Sequence, residues 1–353
     1  MKVLIVGTDP NGIGGIETFS KNIQKMYPET MFLVSYDRFK KKNVNNIYYI
    51  FKHKWLGYFL FSLLFCISKK IARRFLSNRI SALDLKYDVL IVNLHFDHFI
   101  PIFMQVKSPK FIVQHTHKDV LLNNKLLINN DIKLLKIITS YYDVICLSSF
   151  EKTILKKALL LEDSRLHCIR HMSPIKIIDH PKVKNNKKIV IIARYDNAIK
   201  RIDLVINAMS SLPDYHLNVY GDGPDKALLV NLATNLQNVT INGPVSKVKN
   251  VLDDHSIFVM NSESEGYGIT LIEAMSRGLP IIIRNTYASV PDIVTNNGVI
   301  IDKTWDEKNF HNAIKLIENN FQYYSENALT LATRYDFNTI KKHWDALLIF
   351  PND

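Results

Sequence analysis

With 353 residues, 47% of them hydrophobic and 22% charged, the chain has the length and apolar mass for two folded domains and is neither disordered nor fibrous. Its three cysteines, Cys66, Cys146 and Cys168, are an odd number without metal-type spacing, which argues against a disulfide framework or a zinc site and fits a reduced cytoplasm. The net charge of +12 is concentrated, because residues 38 to 80 hold eleven Lys and Arg and no Asp or Glu.

The opening run "KVLIV" is too short for the apolar core of a leader and reads as a buried strand. Behind it, "GTDPNGIGGIETF" places Gly12, Gly14 and Gly15 ahead of a helix starting near Ile16, which allows a phosphate or a sugar to approach the backbone closely. A dinucleotide fingerprint needs a third glycine where Glu17 stands, so a dehydrogenase reading, with Asp37 after the second strand, fails where helix and strand must pack closely.

Within the basic segment, "WLGYFLFSLLFCIS" (Trp55 to Ser68) is fourteen residues long. A spanning helix needs roughly 17 to 25. Aromatic and aliphatic bulk between basic clusters is the pattern of a segment lying on an anionic membrane surface; a buried helix with solvated basic ends is the alternative. A nucleic-acid footprint would carry the same charge, but no recognition motif or zinc spacing accompanies it.

The runs "MFLVSY", "DVLIV", "KFIVQ" and "DVICLS" supply the other strands of the first half. "KIVIIA", "HLNVYG", "NVTING", "SIFVMN", "PIII" and "GVIID" supply those of the second. Near-continuous β-branched runs separated by helical patterns imply parallel sheets covered on both faces, hence an α/β chain of two doubly wound Rossmann-like domains facing across a cleft. The expected divisions are a first domain over 1–171, a linker over 172–187 within the proline-bearing "MSPIKIIDHPKVKNNKK", a second domain over 188–335 and a last helix over 336–353.

Ligands of such sheets bind beyond the carboxyl ends of the strands, so the residues there carry the functional reading. "FIVQHTHKD" ends a strand with His115 and His117, one of which is expected to face the site without the spacing saying which. "ARYDNAIKRID" places Arg194 at a strand end and Lys200 six residues on, two cations suited to phosphate oxygens, with Arg201 as a basic neighbour. In "SESEGYGITLIEAMSRGLPIII", Gly266 and Gly268 permit a tight turn and Ile269 to Arg277 read as a helix capped by Gly278. The free N–H groups near Gly268 to Thr270 suit a phosphate. Glu265 and Glu273 beside them cannot bind phosphate and would take hydroxyls, although spacing alone favours the plainer reading, a carboxylate suited to the helix dipole and a surface helix residue. No Asp-any-Asp triplet is present, so the simplest metal-holding motif is missing and cationic side chains would have to meet a diphosphate.

Together "SESEGYGITLIEAMSRGLPI", "ARYDNAIKRID", "NVYGDGP", "NVTINGPV", "GIGGIETF" and "QHTHKD" resemble the retaining glycosyltransferases of family four, which have the GT-B fold. The resemblance implies that the first domain binds the acceptor and the second the nucleotide-sugar, with Glu273 on the nucleotide ribose. Glu265 and the loop Gly266, Tyr267, Gly268, Ile269 and Thr270 would contact the donor. Arg194 and Lys200 would neutralise the diphosphate without a metal, and Gly14 and Gly15 would approach from the first domain. His115 would touch the donor sugar, with His117 as the alternative, and the last helix would cross back to the first domain. One departure is "YASVPDIV", where the family often has two glycines before an acidic residue.

The expectation is therefore a metal-independent, cofactor-free retaining transferase. It would move a sugar from a nucleotide-sugar, a UDP-sugar first, to a lipid-linked or cell-envelope saccharide, at the cytoplasmic face of the membrane and held there by residues 38–80, with no nucleic-acid partner. A nucleotide-sugar epimerase of the same architecture and a non-enzymatic basic membrane- or nucleic-acid-binding protein are the alternatives.

Overall fold

A computed structural model describes residues 1–12, 14–36, 43–51, 59–93, 100–115, 137–138, 140–181 and 185–348. The chain divides into two compact units, one of Met1–Arg170 with Lys341–Asp353 and the other of His171–Ile340.

The first unit holds a seven-stranded parallel sheet in the order β3-β2-β1-β4-β5-β6-β7. Its strands are β1 Val3–Gly7, β2 Met31–Tyr36, β3 Ile47–Phe51, β4 Val89–Asn93, β5 Lys110–Val113, β6 Asp143–Cys146 and β7 Leu166–Cys168. β1 and β4 are buried along their whole length, as strands covered on both faces must be. β3 and β7 escape the sequence pattern because they are edges: the first three residues of β3 are only partly buried and β7 has three residues.

The helix Gly15–Met26 buries Phe19, Ile23 and Met26, one face at helical spacing, and carries Glu17 in its first turn and Lys25 in its last, both favourable to the helix dipole. The helix Ser149–Leu159 starts at Ser148, whose Oγ accepts from Glu151 N at 3.0 Å.

The second unit holds a six-stranded parallel sheet in the order β10-β9-β8-β11-β12-β13. These are β8 Lys188–Ile192, β9 His216–Tyr220, β10 Val239–Ile241, β11 Ile257–Met260, β12 Ile281–Arg284 and β13 Gly298–Ile301, so all six runs read from the sequence form strands. Both orders reverse between the strands that start each winding, β1 and β4 in one unit and β8 and β11 in the other, the Rossmann-like arrangement of GT-B proteins.

The segment after the boundary lies along the second unit. Ser173 N donates to Tyr335 O at 2.8 Å, Ser173 and Ser276 share a hydroxyl bond at 2.9 Å, and Ile178 N donates to Ser276 O. Arg277, buried, grips Asp253 with Nε and Nη2 at 2.6 and 3.0 Å and donates from Nη1 to Lys176 O.

Candidate active site

The carboxyl end of β8 runs into Arg194, which is exposed and has no ion pair among the described residues. The next residue, Tyr195, is buried, takes Asp222 O through its own N–H at 2.9 Å and sends its hydroxyl to Val219 O at 2.9 Å. Gly223 in "NVYGDGP" lies against the Tyr195 backbone, where a Cβ would overlap it, so this glycine lets two strand-end loops meet. Arg194 is thereby held at the rim of the sheet by its buried neighbour.

Lys200 closes the short helix Asn197–Lys200 and reaches across to Glu265, its ammonium on Oε1 of the carboxylate. Ser262 Oγ donates to the same oxygen at 2.8 Å. Two further bonds join these segments: Glu263 N to Ile199 O at 2.7 Å and Asn261 Nδ2 to Arg201 O at 2.8 Å. Arg201, the basic neighbour that sequence could not separate from Lys200, is occupied elsewhere. Its backbone is left-handed at φ 45°, and its guanidinium takes both oxygens of Asp203 at 3.1 Å and lies 3.4 Å from Glu263.

Gly268, at φ 86° in the region that favours glycine, starts the helix Ile269–Ser276. No side chain caps it; Leu271 N donates to Gly268 O at 3.0 Å, and the N–H groups of Ile269 and Thr270 remain available donors. Tyr267 is buried and its hydroxyl meets that of Tyr335 at 2.8 Å, so the tyrosine anchors the turn from inside.

Glu273 is 8% exposed, which removes the surface-residue alternative, and burial pushes its pKa up to about 7. No hydrogen-bond partner for its carboxylate occurs among the described residues. A buried acceptor without a protein donor is a place for a ligand hydroxyl. Beside these loops, at the carboxyl ends of β9 and β10, a hollow of about 380 Å³ is lined by Tyr220, Gly243, Pro244, Ser246, Lys247 and Asn250, among others.

In the first unit, Gly14 is extended at φ 163° and precedes the helix that begins at Gly15. His115 follows β5, with Nε2 2.8 Å from Oδ1 of the buried Asn93 at the end of β4. Phe19 and the imidazole form a T-shaped pair, centroids 4.7 Å apart, and Trp344 of the last helix packs on Phe19. Asn93 lies over Gly7, where a Cβ would stand 2.5 Å from its amide nitrogen. His117 lies outside the described residues, as does Asp37. Ser262, Asn93 and the network around Glu263 were not singled out in the sequence, and their partners lie too far along the chain for local pattern to show them.

Among the described residues no group of three or more His, Cys, Asp or Glu is placed to hold a metal ion.

Residues 173–329 match the family described as Glycosyl transferases group 1. The match lies within the second unit. Solved structures share its fold over the full length. The structure of Anabaena Alr3699/HepE in complex with UDP and glucose superposes with a TM-score of 0.77 at 14% identity, covering 99% of both chains. That of a mutant S. aureus TarM in complex with Fondaparinux, alpha-GlcNAc-glycerol and UDP gives 0.74 at 14% identity, covering 100% of both. By sequence, the chain is 35% identical over 98 residues to the sulfoquinovosyl transferase SQD2 of Arabidopsis thaliana, covering 27% of this chain and 19% of that one. It is 21% identical over 169 residues to the O-antigen biosynthesis glycosyltransferase WbnH of Escherichia coli, covering 47% and 48%. The chain thus spans less than half the length of these two curated relatives.

Proposed function

We propose that the protein is a retaining, metal-independent glycosyltransferase that moves a sugar from a nucleotide-sugar, a UDP-sugar first, to a lipid-linked or cell-envelope saccharide. The observation that carries this reading is the joint position of Lys200, Glu265 and the uncapped start of Ile269–Ser276, with Glu273 buried one turn inside the helix. UDP in the structures of HepE and TarM, and O-antigen synthesis in the name of WbnH, support the donor and the acceptor class.

The chemistry follows from charge. A diphosphate leaving group gains negative charge as the glycosidic bond breaks, and Arg194, Lys200 and the first-turn N–H groups would meet it as preorganised donors. Lys200 must exchange the Glu265 carboxylate for a phosphate oxygen. Glu265, still held by Ser262, is then free to accept from a donor hydroxyl. Glu273, when ionised, accepts from the ribose hydroxyls. The N–H groups from Gly266 to Thr270 remain the donor contacts, and for the first unit the proposal is that His115, with Gly14 and Gly15, contacts the donor sugar. The hollow at Ser246 and Lys247 is assigned to the base.

The first unit is assigned to the acceptor and the second to the nucleotide-sugar, with the protein peripheral at the cytoplasmic membrane face. Within residues 38–80, the helix Phe59–Ile67 exposes Phe59, Leu60, Leu63 and Ile67, the last 71% exposed, and buries Phe61 on the opposite side. At helical spacing those four fall on one face. The following helix, Lys69–Ser81, exposes Ile71 between Lys70 and Arg74. An apolar face continued by cations suits an anionic bilayer surface. Arg38, Lys40, Lys41, Lys42, Lys52 and Lys54 of the basic segment, and residues 55–58 of its apolar run, lie outside the described residues. Among the described residues no helix is long and apolar enough to cross a membrane.

The test is the product: an acceptor-dependent glycoside whose anomeric configuration, read by NMR, matches that of the donor. Inversion would remove the retaining assignment, and turnover without any acceptor to an altered sugar nucleotide would point to the epimerase.

A further inference from the structure

The turn after β12 departs from the two-glycine pattern, and its side chains make contacts that glycines cannot. Arg284, the last residue of β12, is buried and places Nη2 2.5 Å from Oε1 of Glu263. That oxygen also faces Arg201 at 3.4 Å. Thr286 Oγ1 donates to the carbonyl of Ser262 at 2.5 Å. The buried Tyr287 sends its hydroxyl to Met260 Sδ at 3.4 Å, and Ser289 Oγ makes a long contact, 3.4 Å, with the carbonyl of Gly266.

Arg284 and three side chains of the turn that follows it thus meet Met260 at the end of β11 and residues 262, 263 and 266 of the loop that carries Glu265. The turn is itself tied down. Asn285 N donates to Ile301 O of β13 at 2.9 Å, and Asp292 N and Ile293 N donate to Ser289 O. The sheet therefore supports the turn, and the turn supports the loop.

A peptide is planar with its N–H opposite its C=O, so a carbonyl held from one side fixes where the next N–H points. Thr286 holds the carbonyl of Ser262, and the next N–H, that of Glu263, is the one that reaches Ile199 O. The carboxylate of Glu263 lies between Arg284 and Arg201, so it joins β12 to the segment carrying Lys200. Sequence-distant groups on three strand ends are brought to one register by this turn.

We propose that Arg284, Thr286 and Ser289 are positioning residues, a brace that holds Glu265 and the Gly266–Gly268 backbone in the geometry that receives the diphosphate. The functional part rests on the donor-site reading above; the mechanical part does not.

The experiment uses the full chain with Thr286→Val, Thr286→Ser and Ser289→Ala. Amide hydrogen exchange of the ligand-free protein reads the loop directly, and UDP titration reads its consequence. Thr286→Val is expected to speed exchange over residues 262–270 about tenfold while β1 and β2 are unchanged, and to weaken UDP about tenfold, the scale of one lost hydrogen bond. Thr286→Ser keeps the hydroxyl and restores both, which a loss of methyl packing alone would not do. Unchanged exchange in 262–270 for both Thr286→Val and Ser289→Ala overturns the brace. If the wild type binds no UDP, GDP or ADP, the donor reading falls instead, and the exchange result still decides the brace.

Discussion

Lys200 and Glu265 neutralise each other, and Ser262 Oγ donates to the same carboxylate oxygen at 2.8 Å. The pair is half-buried, so the two charges are screened less than a surface pair. On the proposed reading a diphosphate entering here would compete with Glu265 for the ammonium, and that competition would make the roles of the two residues separable.

Glu265→Gln should bind UDP at least as tightly as the wild type, because Lys200 is released, while sugar turnover falls by about 100- to 1000-fold, the range for a lost preorganised contact. Lys200→Ala should weaken UDP and turnover together. Titration of UDP beside a donor-turnover assay separates the cases. Weaker UDP binding in Glu265→Gln would show that the carboxylate holds the loop rather than the ammonium.

Glu273 predicts a pH dependence. Burial raises its pKa to about 7, so the acceptor form fills in as pH rises through that value, and sugar-nucleotide binding should strengthen from pH 6 to 8. Stability runs the other way. The folded state holds the proton more tightly than the unfolded chain, so stability is lost as pH climbs from the ordinary carboxylate range through about 7. Glu273→Gln should flatten both trends there. Glu151, pushed up to about 8 chiefly by burial, adds a stability slope of the same sign that persists in this variant. Calorimetric titration and denaturant melts between pH 5 and 9 measure both.

Much of this was legible in the sequence, and for identifiable reasons. The six strands of the second unit are unbroken β-branched runs, and Gly268 marks its turn because φ 86° favours glycine. β3 and β7 are edges and lack the two-sided burial that makes a run stand out. The burial of Glu273 could not be read because glutamate is at home on any helix surface. Lys200 and Glu265 lie 65 positions apart, and only the meeting of two strand ends pairs them. Arg284, which nothing in the sequence singled out, is buried against Glu263.

Trp344 tests the docking of the last helix. It is buried and packs on Phe19, which in turn meets His115, and Tyr27 donates to Asp345 at 2.8 Å on the same helix. Trp344→Ala should cost about 3–5 kcal/mol, the usual loss on emptying a buried aromatic site. Urea unfolding measures it, and a loss under about 1 kcal/mol would mean that the helix end is dispensable.

Membrane binding should depend on both halves of the exposed face. Leu63→Ser with Ile67→Ser, and separately Lys70→Glu with Arg74→Glu, should each reduce flotation with anionic vesicles, while neutral vesicles respond only to the first pair. Each cation near the surface contributes about 1 kcal/mol, so losing two should weaken binding at least tenfold. Equal flotation of all variants would remove the membrane assignment.

The most direct test of the donor site is nucleotide release by the purified protein from UDP-, GDP- and ADP-sugars without added metal. Release from one of them, lost in both Glu265→Ala and Arg194→Ala, is the predicted result. Release that survives both substitutions would contradict the assignment of this site.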